Sequence, residues 1–214
     1  MDDKFVDLVI KRLTKRYGSS LRTQLEHVNT RELFIAVLLS PQSNDKQTNR
    51  VTDILFKKYR SWDDYADANL RELMKDTHGI NYYRTKARNL KKSAQMILNN
   101  FNGKVPETMN ELLTLPGVGR KVANVVLLEG YGINEGIPID THNVVVARRL
   151  HLTRHKDPYK IEKDIMRKVP RRYHNQVSNL FIELGRDTCK MQRKECYRCV
   201  LKDICPSSNA KKWQ

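Results

Sequence analysis

A short glycine turn in the second half of the chain constrains the fold most. Residues 115–121 read Leu-Pro-Gly-Val-Gly-Arg-Lys, and an apolar run over 122–128 follows them. Glycine adopts backbone angles that are closed to other residues, so this spacing predicts a tight turn that opens onto a helix. The start of such a helix presents backbone N–H groups that suit a phosphate. An ordinary helix–helix connection that simply needs glycines is the alternative.

Helical periodicity also dominates the rest of the chain, and alternation with a period of two is hard to find. Thr30 is a candidate N-cap for an apolar helix over 33–39, and Asn44 or Asp45 can cap the next helix. Pro106 fits a first helical position, where its missing N–H costs nothing. We therefore predict an all-α protein. Further helices are expected near 69–76, 84–99, 107–113, 120–130, 142–150, 160–168 and 174–185.

The length of 214 residues allows one domain or two small ones. Composition marks no linker, but three glycines within residues 130–136 interrupt the helical pattern. A break there would leave a cleft between two helical lobes, with Lys121 on one wall and Asp140 on the other.

The charge balance points to a polyanionic partner. The chain has 40 Lys and Arg against 24 Asp and Glu, a formal net charge of +16. Nucleic acid is favoured over a membrane because no long basic amphipathic stretch with exposed aromatics stands out. No run approaches a transmembrane span, and the first residues do not resemble a signal peptide. We expect an intracellular protein, cytoplasmic and associated with the nucleoid, and a monomer.

Lys121 and Asp140 are the candidate catalytic residues. Lys121 follows the glycine turn beside Arg120, where a helix N-terminus and a like charge both disfavour its ammonium form. A partly neutral amine is a nucleophile that can form a Schiff base. Asp140 can cap a helix that starts at Thr141 and can also stabilise a developing positive charge. His142 is expected to be structural.

All four cysteines lie in one window, at Cys189, Cys196, Cys199 and Cys205. Four thiols in one short loop indicate a metal or a cluster instead of a disulfide framework. Zinc and an iron–sulfur cluster both remain open on this chemistry. The loop is also basic, which suits a scaffold for backbone phosphates. Its basic residues are Arg186, Lys190, Arg193, Lys194 and Arg198.

Two further loops could contact a nucleic acid. Gln42 lies in a polar loop between two helices and is a candidate to enter the stack where a base has been extruded. Tyr82 lies in an aromatic turn before a basic helix and is a candidate wedge. Ordinary capping explains the first loop equally well, and core tyrosines with a solvated basic face explain the second.

Together these segments resemble the endonuclease III family of DNA glycosylases, in the helix-hairpin-helix superfamily. Residues 33–45 resemble its LLSxQxxD segment, and residues 80–86 its wedge turn. Residues 115–127 are similar to its LPGVGRKxAxxVL hairpin, residues 139–142 to its VDTH, and residues 185–205 to its cluster loop. Two departures lie in the wedge turn: Asn81 stands where many members have Gly, and Tyr82 where Leu is common.

The resemblance implies two α-helical domains that flank a DNA-binding cleft. A six-helix barrel with the hairpin would cover 23–133, and a cluster domain would combine 1–22 with 134–214. It implies that Lys121 is the nucleophile, that Asp140 is its carboxylate partner, and that the four cysteines bind a 4Fe–4S cluster. The implied substrate is double-stranded DNA with a damaged base or an abasic site. Implied DNA contacts are Gln42, Tyr82, Leu115, Gly117, Gly119, Arg120, Arg193 and Lys194.

The resemblance implies a bifunctional glycosylase and abasic-site lyase that removes oxidised pyrimidines. A monofunctional mismatch glycosylase of the same fold is the nearest rival. Adenine-removing relatives carry Glu where this chain has Ala36, and thymine-mismatch relatives typically place Tyr where Lys121 stands. A DNA-binding protein without catalysis and a zinc-binding nucleic-acid module are two more distant rivals.

Overall fold

The structure, a computed structural model, describes residues 3–19 and 22–210. No β-strand forms in these ranges, where one isolated bridge joins Cys189 to Lys194. The all-α prediction is confirmed. The helices of the described part are α1 (Asp3–Tyr17), α2 (Thr30–Leu39), α3 (Asp45–Lys58), α4 (Trp62–Asp67), α5 (Leu70–Asp76), α6 (Tyr83–Phe101), α7 (Met109–Leu112), α8 (Arg120–Val125), α9 (Thr141–Arg149), α10 (Pro158–Lys168) and α11 (His174–Asp187).

The chain divides into two compact units, each with its own hydrophobic core. The central unit is Gln24–Glu135 and carries α2 to α8. The terminal unit joins Met1–Thr23 to Gly136–Gln214 and carries α1 and α9 to α11.

Helix α2 lies at the middle of the central unit, since every residue from 33 to 39 is buried. It packs against α3, α6 and α8. The predicted cap at Thr30 is wrong by one residue. Asn29 has an extended backbone and accepts a hydrogen bond from the Glu32 N–H at 2.9 Å, while the Glu32 carboxylate accepts one from the Val28 N–H. This pair of bonds starts the helix one residue earlier.

Two other helix starts follow from their caps. Asn44 and Gln47 form a capping box at the start of α3, as predicted for Asn44. The placement of Pro106 in a first helical turn is wrong, because α7 begins only at Met109. Thr108 caps it by accepting from the Glu111 N–H at 3.3 Å, so Pro106 lies in the connection before the helix.

In the terminal unit, α11 packs against both α1 and α9, and α9 also contacts α10. The core is formed by apolar residues of these four helices, such as Leu13, Val146 and Phe181. After α11 the chain makes only a single 3₁₀ turn, Cys196–Arg198, before residue 210. Within 188–210, only Thr188 and Leu201 are fully buried.

No helix within the described residues is both long and apolar enough to cross a membrane.

Candidate functional site

The glycine segment folds as a tight hairpin in the central unit. The Val118 N–H donates to the Leu115 carbonyl at 3.1 Å, and Gly117 has a φ of 83°. Proline at the second position and a left-handed glycine at the third are the signature of a type II turn. A Cβ at Gly117 would lie 2.5 Å from Nδ2 of Asn89, so the close approach of α6 also requires glycine.

The hairpin leads directly into α8 and presents Lys121 in its first turn. Gly119 is the N-cap and has no side chain to satisfy the first N–H groups of the helix. Lys121 is exposed, whereas Leu115 and Val118 are buried and anchor the hairpin in the core. This turn therefore exposes main-chain groups to solvent, and not the Leu115 side chain.

Asp140 lies in the terminal unit as the N-cap of α9. Its Oδ1 accepts hydrogen bonds from the Asn143 N–H at 2.8 Å and from the Asn143 side-chain amide at 2.9 Å. The same amide contacts Oγ of Ser178 at 3.2 Å, and Ser178 donates to the Pro138 carbonyl at 2.6 Å. Asn143 and Ser178 are both buried. The carboxylate is thus held through one oxygen by Asn143 of α9, whose amide also contacts Ser178 of α11.

Sequence reasoning missed this support for Asp140. Asn143 is only three residues beyond Asp140 and could have been found as part of a capping motif. Ser178 lies 35 residues beyond Asn143, so its contribution depends on the packing of α9 against α11.

The two predicted DNA-contacting tips have unusual backbones. Gln42 and Tyr82 have φ values of 59° and 56°, in the left-handed region that non-glycine residues seldom adopt. Gln42 is exposed, and Tyr82 is 65% exposed. Asn81 and Lys86 donate hydrogen bonds that cross from the Tyr82 turn to the Gln42 loop. Lys86 belongs to the basic helix that follows this turn, for which a solvated face was one of the two alternatives, and it is only 7% exposed.

All four cysteines line a single cavity in the terminal unit. Among the described residues that line it there is no histidine and no carboxylate, so the donor set is thiol alone. No three His, Cys, Asp or Glu side chains of the described ranges come together as the ligands of one metal ion would.

Arg149 organises the first part of the cysteine loop from the last turn of α9. Its Nη1 donates to the carbonyls of Cys189 and Lys190, each at 2.9 Å, and approaches Sγ of Cys189 at 3.3 Å. Its Nη2 donates to the Met191 carbonyl at 3.0 Å. Sequence reasoning missed this arginine, whose only signal was a basic residue at a helix C-terminus.

The basic residues of the loop have different roles. Arg193 is exposed, whereas Lys194 donates to the Ser207 carbonyl at 2.5 Å. Lys190 pairs with Glu195 at 3.0 Å, and Arg198 pairs with Asp187 at 2.6 Å. Much of the positive charge of this loop therefore holds the loop together.

His142 has a structural contact, as expected. A Cβ at Gly185 would lie 2.8 Å from Nδ1 of His142, so the imidazole packs directly on the backbone of α11. This contact explains why a glycine stands within that helix.

A family model described as HhH-GPD superfamily base excision DNA repair protein matches residues 35–171. The chain is 43% identical to endonuclease III of Bacillus subtilis (strain 168) over 183 residues, which cover 85% of this chain and 83% of that protein.

Two solved structures are similar over the full length of the chain. One is a non-covalent endonuclease III–DNA complex, with a TM-score of 0.92, 36% identity and 100% coverage of both chains. The other is a trapped endonuclease III–DNA covalent intermediate with an estranged adenine, with a TM-score of 0.91, 37% identity, and coverage of 100% of this chain and 99% of that one. The chain therefore belongs to the endonuclease III family of DNA glycosylases, within the HhH-GPD superfamily of base excision DNA repair proteins.

Proposed function

We propose that this chain is a bifunctional DNA N-glycosylase and abasic-site lyase that removes oxidised pyrimidines from double-stranded DNA inside the cell. The observation that carries the proposal is Lys121, exposed in the first turn of α8 directly after the type II turn. An amine at this place in a family that contains a trapped covalent protein–DNA intermediate supports covalent chemistry at Lys121. Within this proposal, the central unit is the hairpin domain and the terminal unit is the cluster domain.

Asp140 provides electrostatic stabilisation in the proposed reaction. Asn143 fixes Oδ1 through two hydrogen bonds, and no group of the described terminal unit donates to Oδ2. A rigid carboxylate with one oxygen available can stabilise positive charge on the sugar as the base departs. Asn143 and Ser178 are positioning residues in this scheme, since they act through Asp140.

The proposed reaction proceeds in two stages. The C1′–N bond of the damaged nucleotide breaks, the base leaves with the bonding electron pair and takes a proton from water, and Asp140 stabilises the oxocarbenium character at C1′. The amine of Lys121 forms the bond to C1′ and gives up a proton; the C1′–O4′ bond breaks, O4′ is protonated as the ring opens, and an iminium results. Water accepts the C2′ proton, and the C3′–O bond breaks with its electron pair going to the phosphate. Hydrolysis of the imine then releases Lys121 and leaves an unsaturated aldehyde on one strand end and a phosphate on the other.

DNA contacts divide into backbone and base-stack groups. Gly117 and Gly119 present main chain to a phosphate, and Arg120 lies beside them. Gln42 and Tyr82 are the exposed tips that fill or wedge the gap after extrusion. Arg193 is an exposed cation of the cysteine loop, whereas Lys194 contributes by shaping that loop.

We propose that Cys189, Cys196, Cys199 and Cys205 hold a 4Fe–4S cluster. The all-thiol donor set fits either this cluster or zinc. All four cysteines line one cavity of the terminal unit, and its described lining residues include no histidine or carboxylate, which supports a group held by thiolates alone. Bound there, the cluster would cross-link the loop that carries Arg193. Iron and sulfide content together with absorption at about 400 nm tests the assignment, and zinc without iron would overturn it.

The decisive experiment is borohydride trapping on duplex DNA that contains one abasic site or one thymine glycol. Wild-type protein should form a covalent adduct, and Lys121→Ala should form none while keeping its fold and its DNA affinity. Lys92→Ala is the control, because it changes one lysine of α6 outside the hairpin.

Each outcome separates the candidate functions. Base release without an adduct would indicate a monofunctional glycosylase. Neither base release nor an adduct, from protein that still binds DNA, would indicate a binding protein without catalysis.

A further inference from the structure

We propose that Asn81 and Lys86 are positioning residues that lock the Gln42 loop to the Tyr82 turn, so that both tips enter damaged DNA as one preorganised unit. The inference rests on the proposed function, in which Gln42 and Tyr82 penetrate the base stack. Both tips lie in the central unit, and their side chains are exposed.

Lys86 contacts both tips at once. Its main-chain N–H donates to the Tyr82 carbonyl at 3.0 Å, in the first turn of α6. Its ammonium donates to the Pro41 carbonyl at 2.7 Å and to Oγ of Ser43 at 3.2 Å. Those two acceptors lie on either side of Gln42. One residue therefore ties the loop that carries Gln42 to the turn that carries Tyr82.

Asn81 makes a second link between the same segments. Its main-chain N–H donates to Oγ of Ser43 at 3.0 Å. Its side-chain amide donates to the carbonyl of Gln42 itself. The Gln42 residue is then held at its own carbonyl and through both of its neighbours.

The burial of Lys86 shows that this link costs free energy. The side chain is 7% exposed, and its acceptors are a carbonyl and a hydroxyl, with no carboxylate among them. Burial lowers the Lys86 pKa to about 8, which reports the loss of water from the ammonium group. Burying a cation among neutral acceptors is unfavourable, and two surface loops could be joined without it. We therefore infer a functional reason for the burial of Lys86.

The backbone angles of Gln42 and Tyr82 also indicate a functional constraint on the two tips. Gln42 and Tyr82 both have left-handed φ angles, and Tyr82, the N-cap of α6, makes no side-chain cap hydrogen bond. A strained residue persists where its surroundings over-determine it. The Asn81 and Lys86 bonds supply that constraint. Because both tips are already ordered before DNA binds, they lose less conformational entropy when they insert.

The test is a double-mutant cycle between Asn81→Ala and Gln42→Ala, measured as single-turnover release of a damaged base from duplex DNA. Asn81→Ala should slow release by about tenfold in the wild-type background, equivalent to the loss of one hydrogen bond. In the Gln42→Ala background it should slow release by about twofold or less, because the tip that it positions is already gone. The effect should be smaller on a preformed abasic site, where no damaged base is left to extrude.

Lys86→Met tests the same link through a readout that needs no activity. The main-chain amide of Asn81 should exchange with deuterium faster in Lys86→Met, because Ser43 loses one of the groups that hold it. Asn49→Ala is the matched control. Asn49 also bridges two main-chain groups of the central unit, the Glu26 N–H and the Gln24 carbonyl, but lies outside both tips. It should change neither the rate of base release nor the exchange of Asn81.

Three results would overturn the inference. The first is that Asn81→Ala slows base release equally in the wild-type and Gln42→Ala backgrounds. The second is that Asn81→Ala does not change the rate of base release. The third is that the Asn81 amide exchanges at an unchanged rate in folded Lys86→Met. The first two require a wild-type protein that releases the base. A wild type that releases none would instead refute the proposed function, so the two failures are distinguishable.

Discussion

In the central unit, α2 buries every residue from 33 to 39, whereas in the terminal unit residues 188–210 bury only Thr188 and Leu201 fully. The catalytic candidate of the central unit stands on a hairpin anchored by core residues such as Leu115. The cysteine loop is held largely by polar groups. Arg149 and Arg12 donate to its main chain, Arg12 also pairs with Asp203, and Arg198 of the loop donates to the Asp187 carbonyl at the end of α11.

This difference has a physical consequence. Apolar burial stabilises the hairpin without any ligand, because the hydrophobic effect needs only packing. Exposed ion pairs contribute little, so they cannot hold a loop of this length by themselves. The comparison predicts that the terminal unit, and not the central one, depends on the group bound by its cysteines.

Loss of the proposed 4Fe–4S cluster is the largest expected effect. Cys199→Ser, or chelation of the iron, should destabilise the terminal unit by at least about 5 kcal/mol, since the binding free energy of a structural metal group is also folding free energy. Amide exchange should rise across 188–210 while α2 and α6 stay protected. Equal loss of protection in both units would contradict the comparison.

Two buried phenylalanines offer a matched test of the cores. Phe34 and Phe181 are 0% and 1% exposed, one in each unit. Replacement by Ala should cost about 3–5 kcal/mol in the cluster-loaded protein at either site. After iron is removed, Phe34→Ala should keep its full effect. The effect of Phe181→Ala should shrink, because the terminal unit is already loosened. Chemical denaturation followed by two probes, one for each unit, measures both.

The lowered pKa of Lys86 predicts that the stability of the central unit depends on pH. Its pKa in the fold is about 8, and an unfolded lysine titrates at about 10.4. Between these values the unfolded chain binds more protons, so the stability of the fold rises with pH, by up to about 1.4 kcal/mol per pH unit from this residue. Lys86→Met should lose that rise. Urea unfolding at pH 7, 8, 9 and 10 measures the free energy of unfolding of wild type and Lys86→Met. The titration of the tyrosines contributes equally to both proteins and cancels in the difference.

Two tyrosine hydroxyls provide the smallest comparison. Tyr17 donates to Asp187 at 2.9 Å in the terminal unit, and Tyr131 donates to the Val105 carbonyl at 2.5 Å in the central unit. Phenylalanine at either position should cost about 1 kcal/mol. The Tyr17→Phe effect should weaken in 1 M salt, because its acceptor is charged, and the Tyr131→Phe effect should not. Thermal unfolding at two salt concentrations distinguishes them.

Local rules accounted for much of the molecule before any tertiary contact was known. The hairpin of residues 115–121 follows from turn chemistry, because proline and glycine dictate the backbone angles of a type II turn. The all-α fold follows from the spacing of apolar residues. Two helix starts were misplaced, at Thr30 and at Pro106, where a neighbouring Asn29 or Thr108 was the better cap.

What the sequence did not reveal is the set of contacts that span the chain. Lys86 bonds a carbonyl 45 residues away, Arg149 reaches a carbonyl 40 residues away, and Asn143 meets Ser178 across 35 residues. No local pattern distinguishes such a residue from a solvated lysine, arginine or asparagine.

The sequence by itself determined the turn, the helices and the cysteine window, since each depends on residues adjacent along the chain. Only the tertiary structure decided which polar side chains are buried and what they hold. A buried donor must find an acceptor wherever packing brings one, and packing is a property of the whole unit.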